Sequence, residues 1–201
     1  MTGIMGGTFD PIHYGHLRLA EHIREEFGLE RVLFIPAGAP PHKVGNKILP
    51  AEHRLEMTRI AISDNPVFEL VDHEIRAEGY SYTVETLEWL LKRGYGPLAL
   101  ILGADSVVQM EKWYQPDGIL GRACILAAPR PETDETELHD AILALYRKYG
   151  GDIRVSKATA MPHASTDIRD SVAKGRTIRY LVPEGVRQYI ERNGFYREDI
   201  I

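Results

Sequence analysis

Unbroken apolar runs alternate with amphipathic stretches along nearly the whole chain, and this alternation leaves few folds open to it. "RVLFIPAG" (31–38), "PLALILGAD" (97–105) and "RACILAAP" (122–129) are rich in consecutive apolar residues. A strand with one wet face would alternate apolar and polar residues, so continuous runs suit strands buried on both faces of a parallel sheet. Residues 2–5 with Phe9, "VFELVD" (67–72) and Ile153–Val155 supply further strand candidates. Between them lie helical patterns. Leu17, Ala20, Ile23 and Phe27 share one face before a stop at Gly28. Residues 51–63 offer Leu55, Met57, Ile60 and Ala61, and residues 82–94 offer Val84, Leu87, Leu90 and Leu91. Residues 134–149, "STDIRDSVAKG" and "PEGVRQYIERNG" complete the set. Strands alternating with helices predict a doubly wound α/β fold, a mostly parallel sheet with helices on both faces. No repeat or linker divides the chain, so residues 1–201 are expected to form one unit, with the helical part from about 165 to 201 packed on it.

Composition narrows the function classes. The 201 residues are 44% hydrophobic and 26% charged with net charge −5, as for a globular protein with a substantial core. No block of lysine or arginine stands out, so no general nucleic-acid binder is expected. No apolar run approaches a membrane span, and "MTGIMGGTF" lacks the features of a signal peptide, which makes the cytoplasm the expected compartment. Cys124 is the single cysteine, which excludes an intramolecular disulfide and a cysteine-rich zinc site, and its apolar neighbours suit a buried structural thiol. A homo-oligomer is compatible with the sequence.

In doubly wound folds ligands sit at the carboxyl ends of the strands. The turns rich in glycine, proline and polar residues fall there. The first is "GGTFDPIHYGH" (6–16). Gly6 and Gly7 let backbone amides approach a ligand, and a helix starting at about His16 would direct its positive end into the same space, which suits phosphate. His13 and His16 on one turn could both donate to phosphate oxygens. Taken alone, the pattern is better explained by a turn with one capping histidine. Neither GxGxxG nor GxxxxGK[ST] occurs, so the usual redox-dinucleotide and P-loop signatures are missing.

The whole string resembles the opening signature of the nucleotidyltransferase superfamily with a (T/H)xGH motif. With PPHK (40–43), HR (53–54), SYTVET (81–86), LGADS (102–106), KWY (112–114), STDIR (165–169) and YLVPEGVRQYI (180–190), the chain resembles the bacterial nicotinate-nucleotide adenylyltransferases over essentially its full length. The resemblance implies a Rossmann-like nucleotide-binding fold and magnesium-dependent adenylyl transfer. ATP and nicotinate mononucleotide would give nicotinate adenine dinucleotide (deamido-NAD) and pyrophosphate, a step of NAD biosynthesis.

The resemblance also implies roles. His13 and His16 contact the ATP phosphates, with His16 the stronger candidate for the transition state. Gly6, Gly7 and Thr8 form a cradle of amides and a hydroxyl. Lys43 and Arg169 contact phosphate, and Ser165 or Thr166 caps the helix that follows. Gly103 and Asp105 touch the nucleotide. Trp113 stacks on the pyridine ring, and amides near Tyr114 and Thr83 receive its carboxylate. Without the resemblance, Lys43 reads as a solvated side chain, Arg169 as an ion-pair member, Asp105 as a helix cap and Trp113-Tyr114 as packing. The sequence identifies no magnesium ligand. It departs from the family at His163-Ala164, where a serine before Ser165-Thr166 is often present. A relative such as pantetheine-phosphate adenylyltransferase would lack the KWY and SYT pair, and a noncatalytic nucleotide binder would not need both histidines, Lys43 and Arg169.

Overall fold

The computed structural model describes residues 1–38, 48–77, 79–129, 134–158 and 164–197. Six strands form one sheet in the order β3-β2-β1-β4-β5-β6, with every neighbouring pair parallel. They are β1 (Thr2–Gly7), β2 (Arg31–Pro36), β3 (Phe68–Leu70), β4 (Leu98–Gly103), β5 (Ala123–Ala128) and β6 (Ile153–Val155). The chain builds outward from β1 to β3, then returns to the other side of β1 and builds outward again. The order therefore reverses between β1 and β4, and a crevice opens there at the carboxyl ends of the strands.

Consecutive strand residues feed opposite faces, as the two-residue period of a strand requires. Met5, Val32 and Phe34 join a core with Ala20 and Ile23 of α1 (Tyr14–Glu26), Met57 and Ala61 of α2 (Ala51–Ile62), Ile168 of α8 (Ser165–Ala173), and Val186 and Ile190 of α9 (Glu184–Asn193). Ile4, Leu33 and Ile35 join the opposite core. Its helical members come from α4 (Thr83–Lys92), α5 (Ala104–Val108), α6 (Pro116–Leu120) and α7 (Glu135–Tyr149). Full burial of a side chain such as Leu33 stabilises the fold by about 1.5–3 kcal/mol. The expected doubly wound α/β architecture is the one observed.

Two helix ends show how sequence sets the boundaries. Gly28, at φ 61°, follows α1; Leu29 N–H bonds to Arg24 O at 2.8 Å and Gly28 N–H to Glu25 O at 3.3 Å. Gly194, at φ 67°, ends α9 in the same way, with Phe195 N–H on Ile190 O at 3.1 Å. A glycine accepts this left-handed corner without a Cβ clash.

Several expectations need correction. Phe9 is not part of β1 but lies beyond it at φ 49°, buried. Helix α1 begins at Tyr14 rather than His16, with His13 as its N-cap residue. Leu91 is exposed rather than part of the buried face of α4. The short α3 (His73–Arg76), α5 and α6 were not expected as separate helices. Cys124 lies half-buried on β5, its thiol pushed up to about 11 by burial first and by Asp152 second.

Candidate active site

The site is built around the end of β1. A cleft of about 520 Å³ opens beside Gly6 and Gly7. A Cβ on Gly6 would meet nothing within 4 Å, so the strand backbone here faces open space. A Cβ on Gly7 would come within 2.9 Å of the Phe9 ring, so the second glycine is needed for the turn to fold back on itself.

The turn after β1 is held by donors from distant parts of the chain. Arg54 of α2 is only 2% exposed and donates to Thr8 O at 2.7 Å, Gly38 O at 3.0 Å and Leu49 O at 3.0 Å. Burial pushes its guanidinium pKa down, and the nearby Asp10 carboxylate opposes that shift. Arg169 donates to Asp10 O at 2.8 Å, and the Ser165 hydroxyl donates to Pro11 O at 2.9 Å. The buried Asp10 side chain accepts from Tyr196 Oη at 2.7 Å. The Tyr196 phenol is pushed far up by burial, and then by Asp10. The carbonyls of Thr8, Asp10 and Pro11 and the Asp10 carboxylate are each held by a distant donor, so the turn is fixed rather than free like a glycine-rich loop.

His13 and His16 are brought together, their rings stacked with centroids 3.7 Å apart. The His13 amide donates to His16 Nδ1 at 3.3 Å, which leaves the proton of a neutral His16 on Nε2. The Phe9 ring meets His16 edge-on at 5.1 Å and limits its rotation. His13 is buried and His16 is partly open. The Tyr14 amide is bonded to Leu181 O at 3.0 Å, so this opening amide of α1 serves the fold and not a ligand.

The far wall of the cleft comes from the segments expected to hold the pyridine. Helix α4 opens at Thr83, and its first internal bond runs from the Glu85 amide to Tyr82 O at 3.0 Å. The amides of Thr83 and Val84 therefore precede the helix's own hydrogen bonding, at its positive end. Thr83, Trp113 and Tyr114 all line the cleft. Trp113 is partly buried, and the half-exposed Tyr114 ring lies 4.5 Å from Tyr82. Gln115, at φ 51°, turns the chain sharply after this pair.

The structure thus places the expected residues in two groups that meet at Gly6-Gly7. Gly6, Gly7, Thr83, Trp113 and Tyr114 line the cleft. His13, His16, Ser165 and Arg169 gather around the turn that follows. Gly103 and Asp105 sit at the end of β4, across the switch point from β1, with Asp105 the exposed second residue of α5. The N-cap there is Gly103, so Asp105 is not the cap. Nor do Ser165 and Thr166 cap α8: its N-cap is Ala164, whose amide donates to Asp167 Oδ2 at 3.0 Å. Thr166 Oγ1 instead accepts from Arg169 at 3.2 Å. Lys43 and His163 lie outside the described residues.

Tyr196 and Glu74 were not singled out from sequence, and Arg54 entered only within the HR pair (53–54), with no role given to it. Arg54 carried a signal, because it shares a helical face with Met57, Thr58 and Ala61, and a charge among buried positions needs partners. Glu74 lines the cleft and accepts from Thr86 Oγ1 at 2.7 Å; nothing in the local pattern marked it. Among the described residues, no group of three or more His, Cys, Asp or Glu side chains could hold a metal ion.

A model of the cytidylyltransferase-like family matches residues 4–171. A probable nicotinate-nucleotide adenylyltransferase of Thermoanaerobacter sp. is 44% identical over 200 residues, covering 98% of this chain and 94% of that protein. The chain belongs to the nicotinate-nucleotide adenylyltransferase family. A probable member from Moorella thermoacetica is 43% identical over 98% of this chain and 91% of its own length. Among solved structures, the Plasmodium falciparum nicotinic acid mononucleotide adenylyltransferase complexed with NaAD matches with a TM-score of 0.76. At 17% identity over 97% of this chain and 96% of that one, it supports the adenylyltransferase fold.

Proposed function

We propose that the chain joins ATP and nicotinate mononucleotide into nicotinate adenine dinucleotide, with release of pyrophosphate. A phosphate oxygen of the mononucleotide attacks the α-phosphorus of ATP. The new O–P bond forms as the bond to the β-phosphate oxygen breaks, and pyrophosphate carries the electron pair away. The attacking group is already an anion, so no protein base or nucleophile is needed. Positioning and charge stabilisation supply the rate.

The observation that carries this reading is the cleft itself. It opens at the switch between β1 and β4, lined by open glycine backbone, by the partly buried Trp113 and by Thr83 at the start of α4. In this reading Gly6, Gly7 and Thr8 bound the phosphate chain, and Gly103 and Asp105 lie on the nucleotide side. His16 donates through Nε2 to oxygens that gain charge, with His13 stacked against it. Lys43 and Arg169 add positive charge, and Ser165 and Thr166 act through Arg169 and the turn. Trp113 stacks on the pyridine, whose carboxylate meets amides near Thr83 and Tyr114.

Magnesium fits as an ion brought in on ATP, because it keeps waters and takes phosphate oxygens rather than needing a protein cage. When bound, it would neutralise phosphate charge, and Asp105 is the carboxylate candidate on the nucleotide side. No described helix is long and apolar enough to cross a membrane. We infer a cytoplasmic location, where ATP is supplied.

Pyrophosphate release with ATP and magnesium tests the reading, with nicotinate mononucleotide, nicotinamide mononucleotide and phosphopantetheine compared side by side. Release is expected with the first, at about ten-fold or greater preference over the amide. Release with phosphopantetheine alone overturns the acceptor, and release with none overturns the reaction.

A further inference from the structure

Glu74 is a carboxyl group in a place that poorly suits a negative charge. It lines the same cleft as Thr83, Trp113 and Tyr114. Its Oε1 accepts from the Thr86 hydroxyl at 2.7 Å. Thr86 and Thr83 are one turn apart on α4 and therefore share a face. The carboxyl of Glu74 is thus tied one helical turn below the amides assigned to the ligand carboxylate. The backbone of Glu74 is held close to the end of β2, since a Cβ on Gly38 would fall 2.1 Å from Glu74 O. The bond from Thr86 then holds its carboxyl on the cleft wall.

We propose that Glu74 is a specificity-determining residue of the acceptor site, which carries a proton when an acid ligand is bound and releases it when the ligand is the neutral amide. The proposal rests on the acceptor reading above. With Oε1 engaged by Thr86, a proton on Oε2 makes Glu74 a donor. An O–H donated to a carboxylate is a strong, charge-assisted bond. The α4 amides and this O–H together satisfy two acceptor oxygens. An amide ligand offers one acceptor and one NH₂ donor, and an ionised Glu74 suits that NH₂. The protonation of one side chain therefore decides which ligand is matched.

The surroundings favour the proton. Burial pushes the Glu74 carboxyl above its ordinary range, and the Thr86 hydroxyl opposes the shift only in part. Lys112, Tyr82 and Tyr114 are the other titratable side chains on the described cleft wall. On the helix of Glu74, Arg76 and Asp72 pair with each other at 2.6 Å. His73 stacks on Trp89 with centroids 4.1 Å apart, and burial followed by Arg93 holds it below its usual range.

The test is the ratio of kcat/KM for nicotinate mononucleotide to that for nicotinamide mononucleotide, from pH 5 to 9. The ratio cancels the titration of the shared phosphate and of ATP. A difference of one unit in the Glu74 pKa between the two complexes makes the ratio fall about ten-fold across its titration. In Glu74→Gln, which donates at every pH, the ratio should change less than about two-fold. Thr86→Val removes the bond that favours the ionised form, so the fall should move to higher pH, and this variant decides the matter if Glu74→Gln does not fold. A flat ratio in the parent, an equal fall in Glu74→Gln, or no shift in Thr86→Val overturns the role of Glu74. Absence of acid preference at every pH overturns the acceptor reading as well.

Discussion

Arg54→Lys isolates the device that shapes the turn after β1. The substitution keeps a positive charge in the same buried space. It replaces a planar fork that reaches Thr8 O, Gly38 O and Leu49 O with one ammonium group. Those carbonyls belong to three separate segments, and a single nitrogen cannot meet all of them. Each charge-assisted bond contributes about 1.5–3 kcal/mol, so losing two costs about 3 kcal/mol at the low end. For a chain of this length the midpoint moves about 2–4 °C per kcal/mol, so Tm should fall by about 6–12 °C. Freeing the turn also displaces the groups built on it, and a displacement near 1 Å costs on the order of 100-fold in kcat/KM. Thermal unfolding by circular dichroism and steady-state pyrophosphate release measure the two effects on one preparation. A Tm within about 1 °C of the parent, with unchanged kcat/KM, would refute the clamp, because two charge-assisted bonds of a buried group cannot be lost at no cost.

His16→Ala should lower kcat by about 10²–10³-fold, the range for loss of one donor to a developing anion, while the unfolding transition stays cooperative; near-normal turnover defeats the assignment. Glu74→Gln should also change stability with pH. A carboxyl whose folded pKa is raised leaves the fold stabilised at low pH and progressively less so as pH rises from the ordinary carboxylate value through the folded one. The Tm advantage of Glu74→Gln over the parent should therefore grow with pH across that window, and an advantage independent of pH contradicts the burial argument.

The strands and most helices could be read directly because burial on both sheet faces leaves a sequence signature. Unbroken runs such as Leu98–Gly103 and Ala123–Ala128 cannot be solvated strands, and glycines 28 and 194 mark helix ends by conformation alone. The cleft wall was legible through the SYT and KWY segments, since they recur as a pair in the family the chain resembles. The turn's anchors were not. Ser165 and Arg169 could be assigned to phosphate from sequence, but their bonds to Pro11 and Asp10 carbonyls depend on contacts 154 and 159 positions away. Periodicity holds no information at that range. The short helices α3, α5 and α6 escaped for a related reason. One turn of helix has too few residues to show a period, and its stability comes from tertiary packing.

The bond from Tyr196 to Asp10 spans 186 positions, and those from Arg169 and Ser165 to the same turn span 159 and 154. Translation runs from one end of the chain to the other, so the glycine turn leaves the ribosome long before the residues that hold it. A nascent chain carries the glycines and histidines well before the residues that fix their geometry. Assembly of the turn is thus coupled to docking of α8 and of the segment that follows α9, and a chain made only as far as α7 carries the turn without the contacts that arrange it.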